Sequence, residues 1–216
     1  MTLYKYVKKE HLDAFFTKGS VKIGSLYEYR KEEQYGTVIG DKEEGYYETE
    51  LSKSGTYEIN LGDNSPESTF IRQYLSRPGQ KNVDKKIIMS DGATFTVGTH
   101  SQDLYIYCVT NEFNRQVMED FGCDSCIEIH NPEVFFKALS RKIRHKADFD
   151  IVTGITYGNK HTHYTSPHNI HPALKKSSNF ASQKEVRAIW IPRKEIKAPL
   201  FFDAPKAIRA CRVYPV

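Results

Sequence analysis

Hydrophobic and polar residues alternate over short stretches along most of the chain, a pattern typical of strands. Between residues 46 and 103, four segments alternate in this way and are separated by turn clusters such as GDNSPES and SRPGQ: YYETEL, TYEINL, KKIIMS and ATFTVG. Six more segments also indicate strands: LYKYV, SVKIGS, LYIYCVT (buried on both faces), CIEIH, IVTGITYG and EVRAIWIP. PLFFDA and IRACRVYPV are predicted to form a closing pair of strands. The pattern predicts an α+β fold in which strands dominate.

Helical spacing is confined to a few segments between these strands. Leu12, Phe15 and Phe16 recur at helical intervals, and Gly19 is a stop signal. Three further segments are predicted to be helical: STFIRQYL, NEFNRQVMEDFG and PEVFFKALSRKIRHK, the last with Pro132 near its first turn. Residues 27–45 are charged and rich in tyrosine, which favours a surface excursion, and residues 160–180 look irregular. Because no repeat or low-complexity tract interrupts the chain, one domain is predicted over residues 1–216.

Composition narrows the class of protein. Of the 216 residues, 39% are hydrophobic, enough for a core, and 14 Tyr and 12 Phe favour strands. A net charge of +4 does not by itself indicate nucleic-acid binding. No apolar run approaches the length that spans a bilayer, and the start MTLYKYVKKEHL lacks the apolar centre of a signal peptide. Together with four cysteines, these features predict a soluble cytoplasmic protein without membrane association.

Cys123 and Cys126, in CDSC, have the two-residue gap found in zinc and redox sites. A second such pair is missing, so the motif is weak. His161 and His163 could complete a tetrahedral site, but histidines in a polar loop are more often solvated. A buried free cysteine commonly fills a core, and this is the expected role of Cys126 beside Ile127. No metal site is predicted.

Four histidines between residues 161 and 171 invite a general-base interpretation: His161, His163, His168 and His171. No Ser or Cys in a nucleophile elbow accompanies them, so a hydrolase triad is unsupported. We expect a loop near a site, with one functional histidine. Asp41, Glu43 and Glu44 form an acidic segment that could cap a helix or bind a divalent ion, but a solvated turn is the default expectation.

The absence of two common phosphate-binding motifs argues against two classes of nucleotide-binding protein. The chain has neither GxGxxG after a strand nor GxxxxGK[ST], which argues against a dinucleotide-binding doubly wound fold and a P-loop ATPase. The segment SRKIRHK places Arg141, Lys142, Arg144 and Lys146 at a helix end, where the helix dipole favours cations. The same cluster could attract a phosphate backbone.

Eight motifs occur in an order that resembles a large, mostly uncharacterised bacterial domain family. They are LYKYV, a helix ending in Gly19, VKIGSLYEYR, GDKEEG, YIYCVT, VMEDFGCDSCIEI, ITYGNK and KKSSNFASQKEVRAIW. Members open with a Tyr-Lys-Tyr or Tyr-His-Tyr strand and close with a Lys, an aromatic residue and a Gln/Glu-x-Glu-x-Arg block. The resemblance covers nearly the whole chain, and the family is similar to a remote branch of the ADP-ribosyltransferase superfamily, including its DarT-like enzymes.

The resemblance implies a split, strongly twisted antiparallel sheet with peripheral helices, and NAD as the substrate. Carried over by position, Glu185 is the catalytic carboxylate, with Gln183 beside it on the same strand face. The residues implied to contact the cofactor are Lys5, Tyr6, Tyr27, Tyr29 and Arg30. Lys5 departs from the His or Arg that the ADP-ribosyltransferase superfamily has at this position, and lysine offers neither a planar ring nor a fork of donors. The resemblance also favours a place in the site lining, without a catalytic role, for the acidic segment Asp41, Glu43 and Glu44. A competing interpretation pairs Glu185 with Arg187 as a purely structural ion pair.

The predicted activity is therefore transfer of ADP-ribose from NAD to a macromolecular acceptor, nucleic acid or protein, in a toxin or phage-defence setting. Two other classes stay open. A protein that binds or cleaves nucleic acid would use the basic helix end and the histidines, and a non-catalytic nucleotide-sensing module would use the tyrosine-rich surface. The sequence predicts neither the acceptor nor the oligomeric state.

Overall fold

A computed structural model describes residues 1–31, 38–76, 85–166 and 170–216. Its strands are β1 (Leu3–Val7), β2 (Ser20–Ser25), β3 (Tyr46–Ser52), β4 (Tyr57–Asn60), β5 (Lys86–Met89), β6 (Thr94–His100), β7 (Tyr105–Thr110), β8 (Ser125–Ile129), β9 (Ala147–Gly154), β10 (Thr156–Tyr157), β11 (His161–His163), β12 (Lys175–Lys176), β13 (Glu185–Pro192), β14 (Leu200–Asp203) and β15 (Cys211–Tyr214). Its α-helices are α1 (Leu12–Lys18), α2 (Pro66–Leu75), α3 (Arg115–Asp120), α4 (Pro132–Ile143) and α5 (Pro205–Ile208). Short 3-10 helices cover Lys9–His11, Tyr27–Arg30, Pro172–Leu174 and Ser178–Gln183. The predicted α+β class with dominant strands is confirmed.

An eight-stranded antiparallel sheet forms the centre of the fold. Five neighbouring pairs give the order β14-β2-β7-β1-β8-β15, and β13 joins both β7 and β9. Strand β7 is the central element, because β13 pairs with it along its whole length from Glu185 opposite Thr110 to Trp190 opposite Tyr105.

The other edge of β7 is shared between two strands. β2 pairs with its beginning, at Ile106 and Tyr105, and β1 pairs with its end, where Tyr4 lies opposite Thr110. Within the described residues, the ladder is therefore interrupted between these two contacts. The ammonium group of Lys5 fills part of this gap and donates a hydrogen bond to the carbonyl of Cys108 at 2.9 Å. The divergence of β1 from β2 opens the sheet at its centre.

The apolar face of the sheet packs against α4, α1 and α5. Alternate residues of β13 point into this core, namely Val186, Ala188 and Trp190, and α4 covers them with Phe135, Phe136, Leu139 and other buried residues. The indole of Trp190 donates to Ser140 Oγ at 2.9 Å, which satisfies its polar atom inside the core.

Gly19 ends α1 as predicted. Its φ of +73° is left-handed, and a Cβ at this position would lie 2.5 Å from the backbone of Ala204. Only glycine satisfies both conditions without strain.

A smaller group of elements has its own apolar cluster. Strands β11, β3 and β6 form one sheet, β4 and β5 form a two-stranded antiparallel sheet, and α2, which lies between β4 and β5 in the chain, packs on them through Phe70 and Ile71. The alternation in residues 46–103 therefore predicted real strands, and the helix predicted around STFIRQYL is α2.

Three predictions about local structure need correction. PLFFDA and IRACRVYPV do not pair, because β14 joins β2 at one end of the sheet order and β15 joins β8 at the other. Residues 160–180 are not uniformly irregular, since β11 pairs with β3 and β12 pairs with β10. The predicted surface excursion is wrong at its end, where Asp41 and Glu44 are buried.

Candidate active site

A cavity of about 220 Å³ opens where β1 and β2 diverge, on the face of the sheet opposite α4. Its walls come from β1, β7, β13, β12 and the segments around Tyr29 and Glu44. The lining residues are Tyr4, Lys5, Tyr6, Tyr29, Ile39, Glu44, Cys108, Val109, Thr110, Phe121, Cys123, Lys176, Gln183, Glu185 and Arg187. The predicted residues Lys5, Tyr6, Tyr29, Gln183 and Glu185 are thus brought together from distant parts of the sequence.

Glu185 is held at the first position of β13 by its backbone. The preceding residue, Lys184, has φ +46° and ψ +41°, a left-handed conformation that turns the chain from the 3-10 helix into the strand. Non-glycine residues seldom adopt this conformation, and they are found preferentially at functional sites. The N–H of Glu185 donates to Tyr157 Oη at 2.7 Å, so the start of the strand is fixed on both sides.

The carboxylate of Glu185 lies between two cations. Its Oε1 accepts from Arg187 Nε at 2.6 Å, and its Oε2 accepts from Lys176 Nζ at 2.9 Å. Glu185 is 8% exposed. Burial favours the protonated acid, but Arg187 and Lys176 outweigh burial and hold the pKa of Glu185 well below its ordinary value. The group is therefore an anion at neutral pH.

Arg187 is the central cation of this network. Its Nη1 and Nη2 donate to Glu44 Oε1 and Oε2 at 2.7 and 2.9 Å, and Nη1 also donates to the carbonyl of Ala173 at 2.6 Å. Burial lowers the pKa of the guanidinium, but Glu185 and Glu44 raise it well above its ordinary value. Two carboxylates and two cations, the second being Lys176, compensate one another inside the fold. The expected solvated turn at Glu44 is wrong, because this carboxylate is 1% exposed.

Asp41 is also part of a buried ion pair. Lys160 Nζ donates to Asp41 Oδ2 at 2.7 Å and to the carbonyl of Glu43 at 2.6 Å. The N–H of Glu44 donates to the carbonyl of Asp41 at 2.8 Å. The acidic segment is thus a tethered turn that presents Glu44 to Arg187.

Gln183 lines the cavity but does not share a strand face with Glu185. It is the last residue of the 3-10 helix Ser178–Gln183, one residue before the left-handed Lys184, so the predicted strand placement is wrong. Its Oε1 accepts from Lys176 Nζ at 2.9 Å, and its Nε2 donates to the carbonyl of Val38 at 2.7 Å. The amide therefore orients Lys176 and ties residue 38 to the site.

The opposite wall of the cavity combines a cation with aromatic rings. Lys5 lines this wall, but its Nζ lies 4.9 Å from the ring centre of Tyr107, which belongs to the apolar core and not to the cavity lining. Among the described residues Lys5 forms no ion pair with a carboxylate. The hydroxyl of Tyr6 accepts from the N–H of Asn114 at 2.8 Å, which fixes its ring at the wall, and burial raises its pKa. Tyr29 completes this wall.

Tyr27 and Arg30 are not brought into the cavity. The Arg30 guanidinium stacks on the ring of Tyr27 at 3.7 Å from its centre, and the Tyr27 hydroxyl donates to the carbonyl of Ser101. Arg30 touches the site indirectly, since its Nε donates to the carbonyl of Glu44 at 2.7 Å. Arg30 therefore contacts the backbone of the acidic turn but does not line the cavity.

The other motifs lie apart from the cavity centre. Cys126 is fully buried beside Tyr6, as expected for a core residue, while Cys123 reaches the cavity wall. In the part of the chain that the structure describes, no group of His, Cys, Asp or Glu side chains is arranged to hold a metal ion.

The three histidines of this group that the structure describes do not line the cavity. His161 is exposed and lies 3.0 Å from Glu48 Oε2, and His163 lies 2.8 Å from Thr165 Oγ1. His171 accepts from a backbone N–H at the start of a 3-10 helix. His168 lies outside the described residues.

The predicted basic helix end is the end of α4: Arg141 and Lys142 lie in its last turn, Arg144 and Lys146 follow it, and all four are exposed. Because α4 packs on the apolar face, this cluster lies on the opposite side of the sheet from the cavity. No helix within residues 1–31, 38–76, 85–166 and 170–216 has the length and hydrophobicity needed to cross a membrane.

Comparisons of the chain with protein-family models, curated proteins and solved structures return no match. The structure places Glu44 in the cavity wall, as the resemblance favoured for its segment, and adds Lys176 and Tyr157 to the residues predicted from sequence. Lys176 was within reach of prediction, because a lysine is one of the features of the closing block that carries the family resemblance.

Proposed function

We propose that this protein is an ADP-ribosyltransferase-like enzyme that moves ADP-ribose from NAD to a macromolecule, and that its open antiparallel sheet is of the corresponding split type. In such a reaction the bond from nicotinamide to ribose breaks, and its electron pair leaves with the nicotinamide nitrogen. The acceptor forms a bond to the same ribose carbon and loses a proton. Positive charge develops on the sugar between these events, and a nearby carboxylate stabilises it.

Glu185 is suited to this role because it is ionised and faces the cavity. Arg187 and Lys176 each engage one of its oxygens. A carboxylate has about four lone-pair sites, of which Arg187 and Lys176 take two and the neighbouring Cys108 thiol takes a third, so one site is still available. A ribose hydroxyl donating to Glu185 would use that capacity.

The remaining walls suit the other parts of NAD. Tyr6 and Tyr29 offer rings for an aromatic base, and Lys5 offers a positive charge for a pyrophosphate. A cavity of about 220 Å³ is below the usual range of about 300–1,000 Å³ for drug-sized ligands, so it would enclose the nicotinamide and its ribose rather than the entire dinucleotide.

The observation that carries the proposal is that Glu185 and Lys5 line the same cavity at the opening of the sheet. The test is consumption of labelled NAD by the purified protein with a cell lysate as the source of acceptors. Glu185→Gln removes the charge but keeps the shape. Glu128→Gln is the matched control, because Glu128 is another buried strand carboxylate paired with an arginine but does not line the cavity.

We expect label on protein or nucleic acid with the wild type and with Glu128→Gln, and none with Glu185→Gln. Nuclease and protease treatment of the labelled product then identifies the acceptor class. The proposal fails if the wild type neither consumes NAD nor gains thermal stability from it. It also fails if Glu185→Gln retains full activity. A toxin or phage-defence role is the setting that the family resemblance implies.

A non-catalytic nucleotide-binding module is the second candidate. Two observations favour it. Both Glu185 oxygens already accept hydrogen bonds, one from Arg187 and one from Lys176. The Gln183 amide is also used on both sides, by Lys176 and by the carbonyl of Val38. This candidate predicts that NAD or another nucleotide raises the melting temperature without turnover. It also predicts that Glu185→Gln leaves binding unchanged.

A protein that binds nucleic acid through the basic end of α4 would use a different surface. That end lies across the sheet from the cavity, so loss of Arg141 and Lys142 would weaken such binding without changing NAD consumption. Nucleic-acid binding that depends strongly on salt and does not respond to NAD would favour this third hypothesis.

A further inference from the structure

The side-chain amide of Gln183 joins two parts of the candidate site. Its Oε1 accepts from Lys176 Nζ at 2.9 Å, and its Nε2 donates to the carbonyl of Val38 at 2.7 Å. An ammonium group only donates and a carbonyl oxygen only accepts, so these two partners fix which end of the amide is oxygen and which is nitrogen. Gln183 is also buried. The amide is therefore a bridge with a single orientation.

Residues 38–41, here named the strap, have two points of attachment. At the first, the N–H of Asp41 donates to the carbonyl of Tyr29 at 2.9 Å, and Asp41 Oδ2 accepts from Lys160 Nζ at 2.7 Å. Asp41 is itself buried. This end of the strap is thus held by hydrogen bonds, by an ion pair and by burial, all without Gln183.

The second attachment is at Val38 and depends on Gln183. The Val38 residue is 43% exposed, so burial contributes little at this end. Within the described residues, the hydrogen bond from Gln183 Nε2 is the side-chain contact that holds the Val38 carbonyl. Ile39 follows Val38 and lines the cavity. Its place in the wall therefore depends on the Gln183 amide.

We propose that Gln183 is a positioning residue whose amide holds the strap against the cavity, so that Ile39 forms an apolar part of the wall. The resemblance implied a catalytic role for Gln183, whereas a positioning residue acts through the groups that it holds. Lys176, the other partner of the amide, also donates to Glu185 Oε2, so the strap and the carboxylate share one chain of hydrogen bonds. The strap belongs to the wall of the proposed site, so any effect of Gln183 on NAD rests on the proposed function.

The two roles of Gln183 differ in their kinetic consequences. An apolar wall at Ile39 would pack against the nicotinamide and its ribose both in the bound substrate and in the transition state. Loss of such contact raises KM and leaves kcat nearly unchanged. Loss of a group that acts on the reacting bond lowers kcat instead. The division of an effect between KM and kcat therefore distinguishes positioning from catalysis.

The position of the strap is tested without any substrate, by crystal structures of Gln183→Glu and wild-type protein at about pH 8, where a glutamate is ordinarily ionised. Glutamate keeps the shape of the side chain and an acceptor for Lys176, but its carboxylate has no N–H for the Val38 carbonyl. We expect that carbonyl to leave hydrogen-bond distance of residue 183 and Ile39 to leave the cavity wall, while Asp41 stays bonded to Tyr29. The proposal is overturned if Ile39 keeps its wild-type position.

Gln183→Met provides a second variant in case the glutamate variant does not fold. Methionine has a similar length and no N–H, so it too should release the strap, and it brings no charge close to Glu185. Gln116→Glu is the matched control, because Gln116 is an exposed amide on α3 that donates to Asp120. This change should leave the strap in place.

The effect on substrate is tested by the kinetics of NAD consumption, normalised to the folded fraction measured by circular dichroism. Ile39→Ala removes the apolar wall without touching the amide, and Gln183→Met releases it. Both variants should raise KM about tenfold and change kcat by less than about twofold.

Two kinetic results would overturn the positioning role. One is an unchanged KM in both variants, and the other is a fall in kcat in Gln183→Met that Ile39→Ala does not share. If the wild type does not consume NAD, the proposed function fails, while the crystal structures still decide whether Gln183 holds the strap.

Discussion

The two faces of the eight-residue strand β13 are stabilised by different kinds of interaction. Val186, Ala188 and Trp190 face the apolar core, whereas Glu185 and Arg187 face the cavity. The apolar face depends on buried area, which is nondirectional and tolerates changes of similar volume. The cavity face depends on charges that stay buried only while each has its partner. A substitution should therefore cost most where it removes a partner rather than where it removes volume.

The largest effect is expected for Arg187→Met. Methionine fills similar space but leaves Glu44 without its cation and Glu185 with Lys176 alone. Breaking a buried pair by removing one partner costs about 3–5 kcal/mol, so the free energy of unfolding should fall by about 4 kcal/mol. Urea unfolding at pH 7 measures this loss.

Arg193→Met is the matched control for that experiment. Arg193 makes a bidentate pair with Asp148, but both side chains are exposed, so the free energy of unfolding should change little. Equal losses at Arg187 and Arg193 would contradict the distinction between buried and exposed charge pairs.

A somewhat smaller effect is expected on the apolar face, from Leu139→Ala in α4. Leu139 is fully buried beneath the sheet, and removal of a buried leucine side chain costs about 2–5 kcal/mol, here about 3 kcal/mol. Urea unfolding measures the loss. The stabilisation by NAD that the proposed function predicts should persist, because no cavity residue has changed. A variant that loses the response to NAD while remaining folded would show that the faces are coupled.

Acid should destabilise the cavity face through Glu185. Its folded-state pKa is depressed, because Arg187 and Lys176 outweigh burial, so its contribution to stability is present above the unfolded value of 4.5 and is lost as the pH falls below it. Each pKa unit of depression is worth about 1.4 kcal/mol. Urea midpoints between pH 7 and pH 2 should therefore decline less steeply in Glu185→Gln than in wild type. The exposed Glu133 gives the control, and Glu133→Gln should retain the wild-type slope.

Local patterns predicted the strands well because their cause is local. Alternation in YIYCVT and EVRAIWIP follows from the alternating faces of a strand, and Gly19 carries its own backbone requirement. The same patterns predicted Glu185 at the beginning of a strand. They could not indicate that β14 and β15 lie at opposite ends of the sheet order, because strand order depends on contacts between distant segments.

For the same reason, local patterns could not predict which residues pair with the buried charges. Glu44 lies 143 positions from Arg187, and Asp41 lies 119 positions from Lys160. An acidic turn is usually solvated, so composition favoured the wrong environment for both carboxylates. The short sequence separation of Glu185 and Arg187 did allow their pairing to be considered in advance, and the two side chains are in contact.

The smallest effect is expected where a single hydrogen bond connects the cavity face to the backbone. Tyr157 Oη accepts from the N–H of Glu185 at 2.7 Å, and burial raises the pKa of this phenol to about 12, so it stays protonated at neutral pH. Tyr157→Phe preserves the ring but leaves that N–H without its acceptor, and the free energy of unfolding should fall by about 1 kcal/mol. Tyr74→Phe, on an exposed ring of α2, is the control and should be neutral. Amide hydrogen exchange gives the sharper measurement: the Glu185 N–H should exchange faster in Tyr157→Phe, whereas the Ala188 N–H on the same strand should keep its protection. Equal acceleration at both positions would mean that the whole strand has loosened, and that the hydroxyl does more than fix the start of β13.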